Sequence, residues 1–86
     1  MLLRFTGEVQ GVGFRQFVRN RSGVLGLGGY VRNRPDGSVE AELEGELEAI
    51  RELERAVRED HPLARVDRID RQELPLQGSH PPVQVR

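Results

Sequence analysis

The 86 residues suffice for one domain with one thin core, since a chain of this length buries roughly 60–68% of its unfolded surface. There is no cysteine, so disulfides and thiol chemistry are excluded, and the two histidines, His61 and His80, stand apart beside prolines in no zinc-ligand spacing. A formal charge of −1, with all 13 basic residues arginine, argues against a general nucleic-acid surface, and no apolar run approaches the roughly 20 residues of a membrane span.

Leu3, Phe5 and Val9 share one pleat face with Gly7, while Arg4, Thr6 and Glu8 face the other way, so the chain opens on a strand. After Val9 the period changes. Phe14, Phe17, Val18 and Leu25 follow helical spacing, with Gln16, Arg19 and Asn20 on the wet side. Gly23 weakens this helix by about 1 kcal/mol relative to alanine, and Gly26 is a natural stop. GGYVRN reads as a second strand, and PDG at 35–37 as a tight turn. Val39, Ala41 and Leu43 then alternate with Glu40, Glu42 and Glu44, which makes strands two and three a hairpin with one buried side.

Leu47, Ile50, Leu53 and Val57 form the apolar stripe of a second helix, with Glu48, Arg51, Glu52, Arg55 and Arg58 as its solvated face. Arg65 to Glu73 is a fourth strand in which Val66 and Ile69 have opposite parity, so a bulge is expected between them. Leu74 to Pro82 is a proline-bearing loop. Val83 and Val85 offer a short fifth strand at the C-terminus. The order βαββαβ predicts an α+β, ferredoxin-like sandwich: one antiparallel sheet with two helices on one face, within a single domain spanning residues 1–86.

The segment VQGVGFR, residues 9–15, interrupts this pattern. Gly11 and Gly13 lie between the first strand and the first helix, where glycine lets successive N–H groups line a concavity. A helix N-terminus adds unpaired donors and partial positive charge, for which phosphate is a natural guest. Arg15 falls in the first helical turn, where its fork reaches the same anion. The plainer alternative is a sharp turn followed by a solvated arginine, and spacing alone leaves both open. The nucleotide-binding GxxxxGK[ST] pattern is absent.

QGVGFRQF partly matches an RNA-binding signature that occurs on the same element order. That signature belongs on the third strand, where VEAELEG has no aromatic residue, and Phe14 and Phe17 have helical, core-facing spacing. No nucleic-acid partner is expected. Asn33 shares the inward pleat face of Val31, either as turn chemistry for PDG or to hold something. Arg32 and Arg34 flank it as surface charges.

VQGVGFR, LGLGGYVRN and PDGSVEAELEG together resemble the acylphosphatase family, over a stretch from Leu3 to Val66 that needs no gaps. The resemblance implies hydrolysis of the carboxyl–phosphate anhydride of acyl phosphates such as acetyl phosphate, carbamoyl phosphate or 1,3-bisphosphoglycerate. It implies that the backbone amides of Gln10, Gly11, Val12, Gly13 and Phe14, with Arg15, bind the phosphoryl group. It also implies that Asn33 orients the attacking water, with no metal, no cofactor and no phosphoenzyme. Tyr30 stands where the family usually has tryptophan. A similar module begins the large carbamoyl-transfer proteins of hydrogenase maturation, whose zinc motifs this chain lacks, so a stand-alone, cytoplasmic, monomeric enzyme is expected. A non-catalytic anion-binding domain is the alternative from another class.

Overall fold

In a computed structural model describing all 86 residues, the elements are β1 (Leu2–Glu8), α1 (Phe14–Val24), β2 (Gly28–Asn33), β3 (Val39–Glu44), α2 (Leu47–Glu59), β4 (Arg65–Gln72) and β5 (Gln84–Val85). The sheet order is β4-β1-β3-β2-β5. β1 pairs antiparallel with β3 and β4, and β2 with β3, as the ferredoxin-like reading requires. β5 joins β2 in parallel, so the five-stranded sheet is mixed. The direction follows from topology. β4 ends at the pole where β2 begins, so a chain running past that end of the strands enters β5 alongside β2. Glu44 anchors that passage by accepting the N–H groups of Gln77 and Ser79.

The core lies between one sheet face and the two helices. Leu3, Phe5, Val31, Val39, Ala41 and Leu43 meet Phe14, Val18, Ile50, Leu53 and Val57, all buried. The bulge occurs as expected: Thr6 pairs with Arg68 and Gly7 with Val66, leaving Asp67 as the extra residue. It depends on Gly7, whose φ is 137° and where a Cβ would lie 2.1 Å from the Arg65 carbonyl oxygen. α1 ends in a Schellman motif, with Leu27 N–H donating to Ser22 O and Gly26 N–H to Gly23 O.

Two expectations about polar faces need correction. On α2 the buried set is Ile50, Leu53, Glu54, Ala56 and Val57, while Leu47 is half exposed. Glu54 is carried inside by pairing with Arg71 of β4. On the helix-free face of the sheet, Arg32 and Arg34 are not independent surface charges and Glu40 is not solvated. Glu40 is 6% exposed and accepts from Arg32 Nε and Arg34 Nη1, each at 2.8 Å, and from Tyr30 Oη at 2.7 Å. Cross-strand register brings these groups together, because Glu40 sits opposite Arg32. A charge can stay buried only when paired in this way.

Candidate active site

The segment between β1 and α1 is a bend whose shape depends on two glycines. Gly11 has φ 76° and Gly13 has φ 74°, both left-handed, while a Cβ at either would meet no atom within 4 Å. Backbone conformation, not space, therefore requires glycine here. Gly13 is the N-cap of α1 and supplies no side-chain acceptor. Its carbonyl accepts from Phe17 N–H at 3.0 Å, starting the helix. Val9 and Phe14 are buried on either side of the bend, and Val12 packs against the core, so the loop is pinned by apolar anchors. Phe14 meets Phe5 edge-on, with ring centroids 5.3 Å apart.

The loop leaves its donors unused. No backbone N–H of Gln10, Gly11, Val12, Gly13 or Phe14 donates to an acceptor in the chain. The first turn of α1 contains no acidic residue that would answer the positive end of the helix. Beside the loop lies a cavity of about 200 Å³, walled by Gly11, Gly13, Phe14, Arg15 and Asn33, with Val9, Gln16 and Val85 completing it. No carboxylate and no imidazole lies on this wall. Hard cations want carboxylate oxygens and zinc wants thiolates, imidazoles or carboxylates, so this donor set fits an anion and not a metal.

The structure brings Arg15 and Asn33 together on one cavity with the glycine loop. Gln10 and Val12 belong to the bend, but their side chains lie off the wall. The Gln10 carboxamide instead reaches the neck of the β2–β3 hairpin, where Nε2 donates to the carbonyls of Arg34 at 2.8 Å and Ser38 at 2.9 Å. Arg15 Nη1 donates to the Arg86 carbonyl at 2.7 Å. Its Nε and Nη2 make no hydrogen bond within the chain.

Arg86 is itself fixed. Its N–H donates to Val31 O at 2.8 Å and its guanidinium lies 4.2 Å from the Tyr30 ring centre. The extended C-terminal segment thus contributes Val85 to the cavity and the Arg86 carbonyl to the orientation of Arg15. Sequence reasoning missed both, and also the side-chain role of Gln10. No local pattern announces partners 24 to 71 residues apart.

The acylphosphatase family model matches residues 1–82. An acylphosphatase of Rubrobacter xylanophilus is 47% identical over 81 residues, covering 94% of this chain and 74% of that protein. The crystal structure of acylphosphatase from Bacillus subtilis is similar at a TM-score of 0.88 and 36% identity, over 100% of this chain and 99% of that one. T. kodakarensis HypF is similar at a TM-score of 0.85 and 37% identity, over 99% of this chain and 11% of that one. Family model, relative and fold agree with the glycine loop, Arg15 and Asn33: the chain belongs to the acylphosphatase family.

Proposed function

We propose that the protein hydrolyses acyl phosphates to a carboxylate and inorganic phosphate, without a metal, at the cavity between the 10–14 loop and Asn33. The observation that carries this reading is the convergence of Gly11, Gly13 and Phe14, whose amides are unpaired, with Arg15 and Asn33 on one acid-free cavity. The amides and the free Nε and Nη2 donors of Arg15 suit the equatorial oxygens of a phosphoryl group. The Asn33 carboxamide holds a water in line with the departing carboxylate. The water oxygen attacks phosphorus, the bond from phosphorus to the acyl oxygen breaks, and the carboxylate leaves with the electron pair.

Phosphoryl transfer of this kind needs positioning and charge stabilisation more than covalent help. An acyl carboxylate is a good leaving group, so no general acid is needed. With neither carboxylate nor imidazole on the wall, a phosphoryl oxygen of the substrate is the nearest acceptor for the water's proton.

The test is turnover of acetyl phosphate at neutral pH with excess chelator, for the wild type beside Arg15→Ala and Asn33→Ala. Chelator should leave the wild type unaffected. Arg15→Ala should lose about 10²–10³-fold in kcat, the size of one lost transition-state donor. Asn33→Ala should lose about 10²-fold through misplacement of the water. A wild type that binds phosphate but never turns over acetyl phosphate overturns the catalytic reading.

A further inference from the structure

We propose that the side chain of Gln10 is a positioning residue that locks the phosphate loop to the strand end carrying Asn33, and so sets the in-line geometry. The inference rests on the hydrolytic reading above, in which the loop holds phosphorus and Asn33 holds the water. Those two parts sit on separate segments. β1, which leads into the loop, and β2, which ends in Asn33, are not neighbours in the sheet, because β3 lies between them. No ladder hydrogen bond therefore fixes the loop relative to Asn33.

Gln10 makes that link directly. One Nε2 donates to the carbonyl of Arg34, the residue after Asn33, and to the carbonyl of Ser38 at the start of the returning strand. The Ser38 carbonyl also accepts Arg34 N–H at 2.9 Å, so both acceptors belong to the closed neck of the hairpin. Asp36 stiffens the same turn by accepting from the Ser38 N–H at 2.9 Å. Because both partners are carbonyls, the NH₂ end of the amide must face them, which settles the orientation of the side chain. Only a group with two hydrogens on one atom, at the reach of glutamine, satisfies both. Asparagine is one methylene short, glutamate offers oxygens to oxygens, and methionine has the length without donors.

The consequence is a separation of roles. The loop's own φ angles and apolar anchors shape the amide concavity, so phosphate affinity should survive loss of the Gln10 bonds. The distance from phosphorus to the Asn33-held water should not. A misplacement of about 1 Å is enough for about 10²-fold in rate.

The experiment compares kcat, KM and competitive inhibition by inorganic phosphate on acetyl phosphate for wild type, Gln10→Met and Asn33→Ala, with a thermal melt for each. Gln10→Met should lose at least about tenfold in kcat, with the phosphate inhibition constant changing by less than about twofold. A kcat within about twofold of wild type overturns the proposal, as does a phosphate affinity that weakens in step with kcat.

If Gln10→Met does not fold, Gln10→Glu decides. Its carboxylate repels both carbonyls, whereas its protonated form restores one hydrogen bond. Its kcat relative to wild type should rise as pH falls from about 7 to about 5, and a flat ratio overturns the proposal. The wild type and Asn33→Ala keep the two readings apart. A wild type without turnover fells the hydrolytic reading, and an Asn33→Ala that retains wild-type kcat leaves hydrolysis standing but removes the water from Asn33, and this inference with it. If Asn33→Ala collapses while Gln10→Met does not, only this inference falls.

Discussion

Phe14 and Arg15 are adjacent in the chain and serve opposite ends of the site. Phe14 is 1% exposed and packs edge-on against Phe5, so it holds the last loop amide to the core. Arg15 lies on the cavity wall, with one guanidinium nitrogen committed to Arg86. Truncating Phe14 removes a whole buried ring. Phe14→Ala should therefore destabilise the fold by about 3–5 kcal/mol, read as a fall in the urea midpoint at unchanged slope. Arg15→Ala should leave stability within about 0.5 kcal/mol of wild type while lowering kcat by about 10²–10³-fold, because the one hydrogen bond it loses is exposed. A large midpoint shift for Arg15→Ala would make it a structural residue instead.

At the scale of the element, α1 is a short helix with a working end and a plain end. Its N-terminus carries the unpaired loop amides, and its C-terminus closes in the Schellman turn. Gly23 lies near the plain end, about 15 Å along the axis from Gly13. It is exposed, its φ is ordinary, and a Cβ there would meet no atom within 4 Å. Gly23→Ala should raise stability by about 0.4–1 kcal/mol, mainly through the unfolded chain's lost freedom. Because the site is remote, kcat should not change. Thermal melts and turnover on the same sample check both halves. β4 shows the opposite use of glycine, where Gly7 makes room for the Asp67 bulge that turns both Val66 and Ile69 toward the core side.

For the whole molecule, eight of the 13 arginines pair with carboxylates, and this gives stability a direction with pH. Burial pushes the Glu40 carboxyl up, but hydrogen bonds from Arg32, Tyr30 and Arg34 outweigh it and hold it below its ordinary value near 4.5. Asp60 is held below its ordinary value near 3.8 by Arg55 and Arg21 across the two helices. A carboxyl that ionises more readily folded than unfolded stabilises the fold above its unfolded value. That contribution disappears as pH falls through the folded value. The melting temperature should hold down to about pH 5 and drop below about pH 4.5. Glu40→Gln should lower the neutral melting temperature and shrink the acid-induced drop. Melting both proteins at stepped pH checks this, and equal drops would remove Glu40 from the account.

By itself the sequence determined six elements and offered the short C-terminal strand, along with the bulge in β4, the core stripes and the phosphate-loop candidate with Arg15 and Asn33. These rest on side-chain period, turn chemistry and short motifs, which act over a few neighbouring residues. Only the tertiary structure decided the parallel seat of β5, the burial of Glu40 among arginines, the hold of Arg86 on Arg15 and the reach of Gln10 to the hairpin neck. The Gln10 and Arg86 contacts join residues 24, 28 and 71 positions apart. A hydrogen bond between groups that far apart depends on where folding brings the backbone. Neither residue's local setting carries a trace of it.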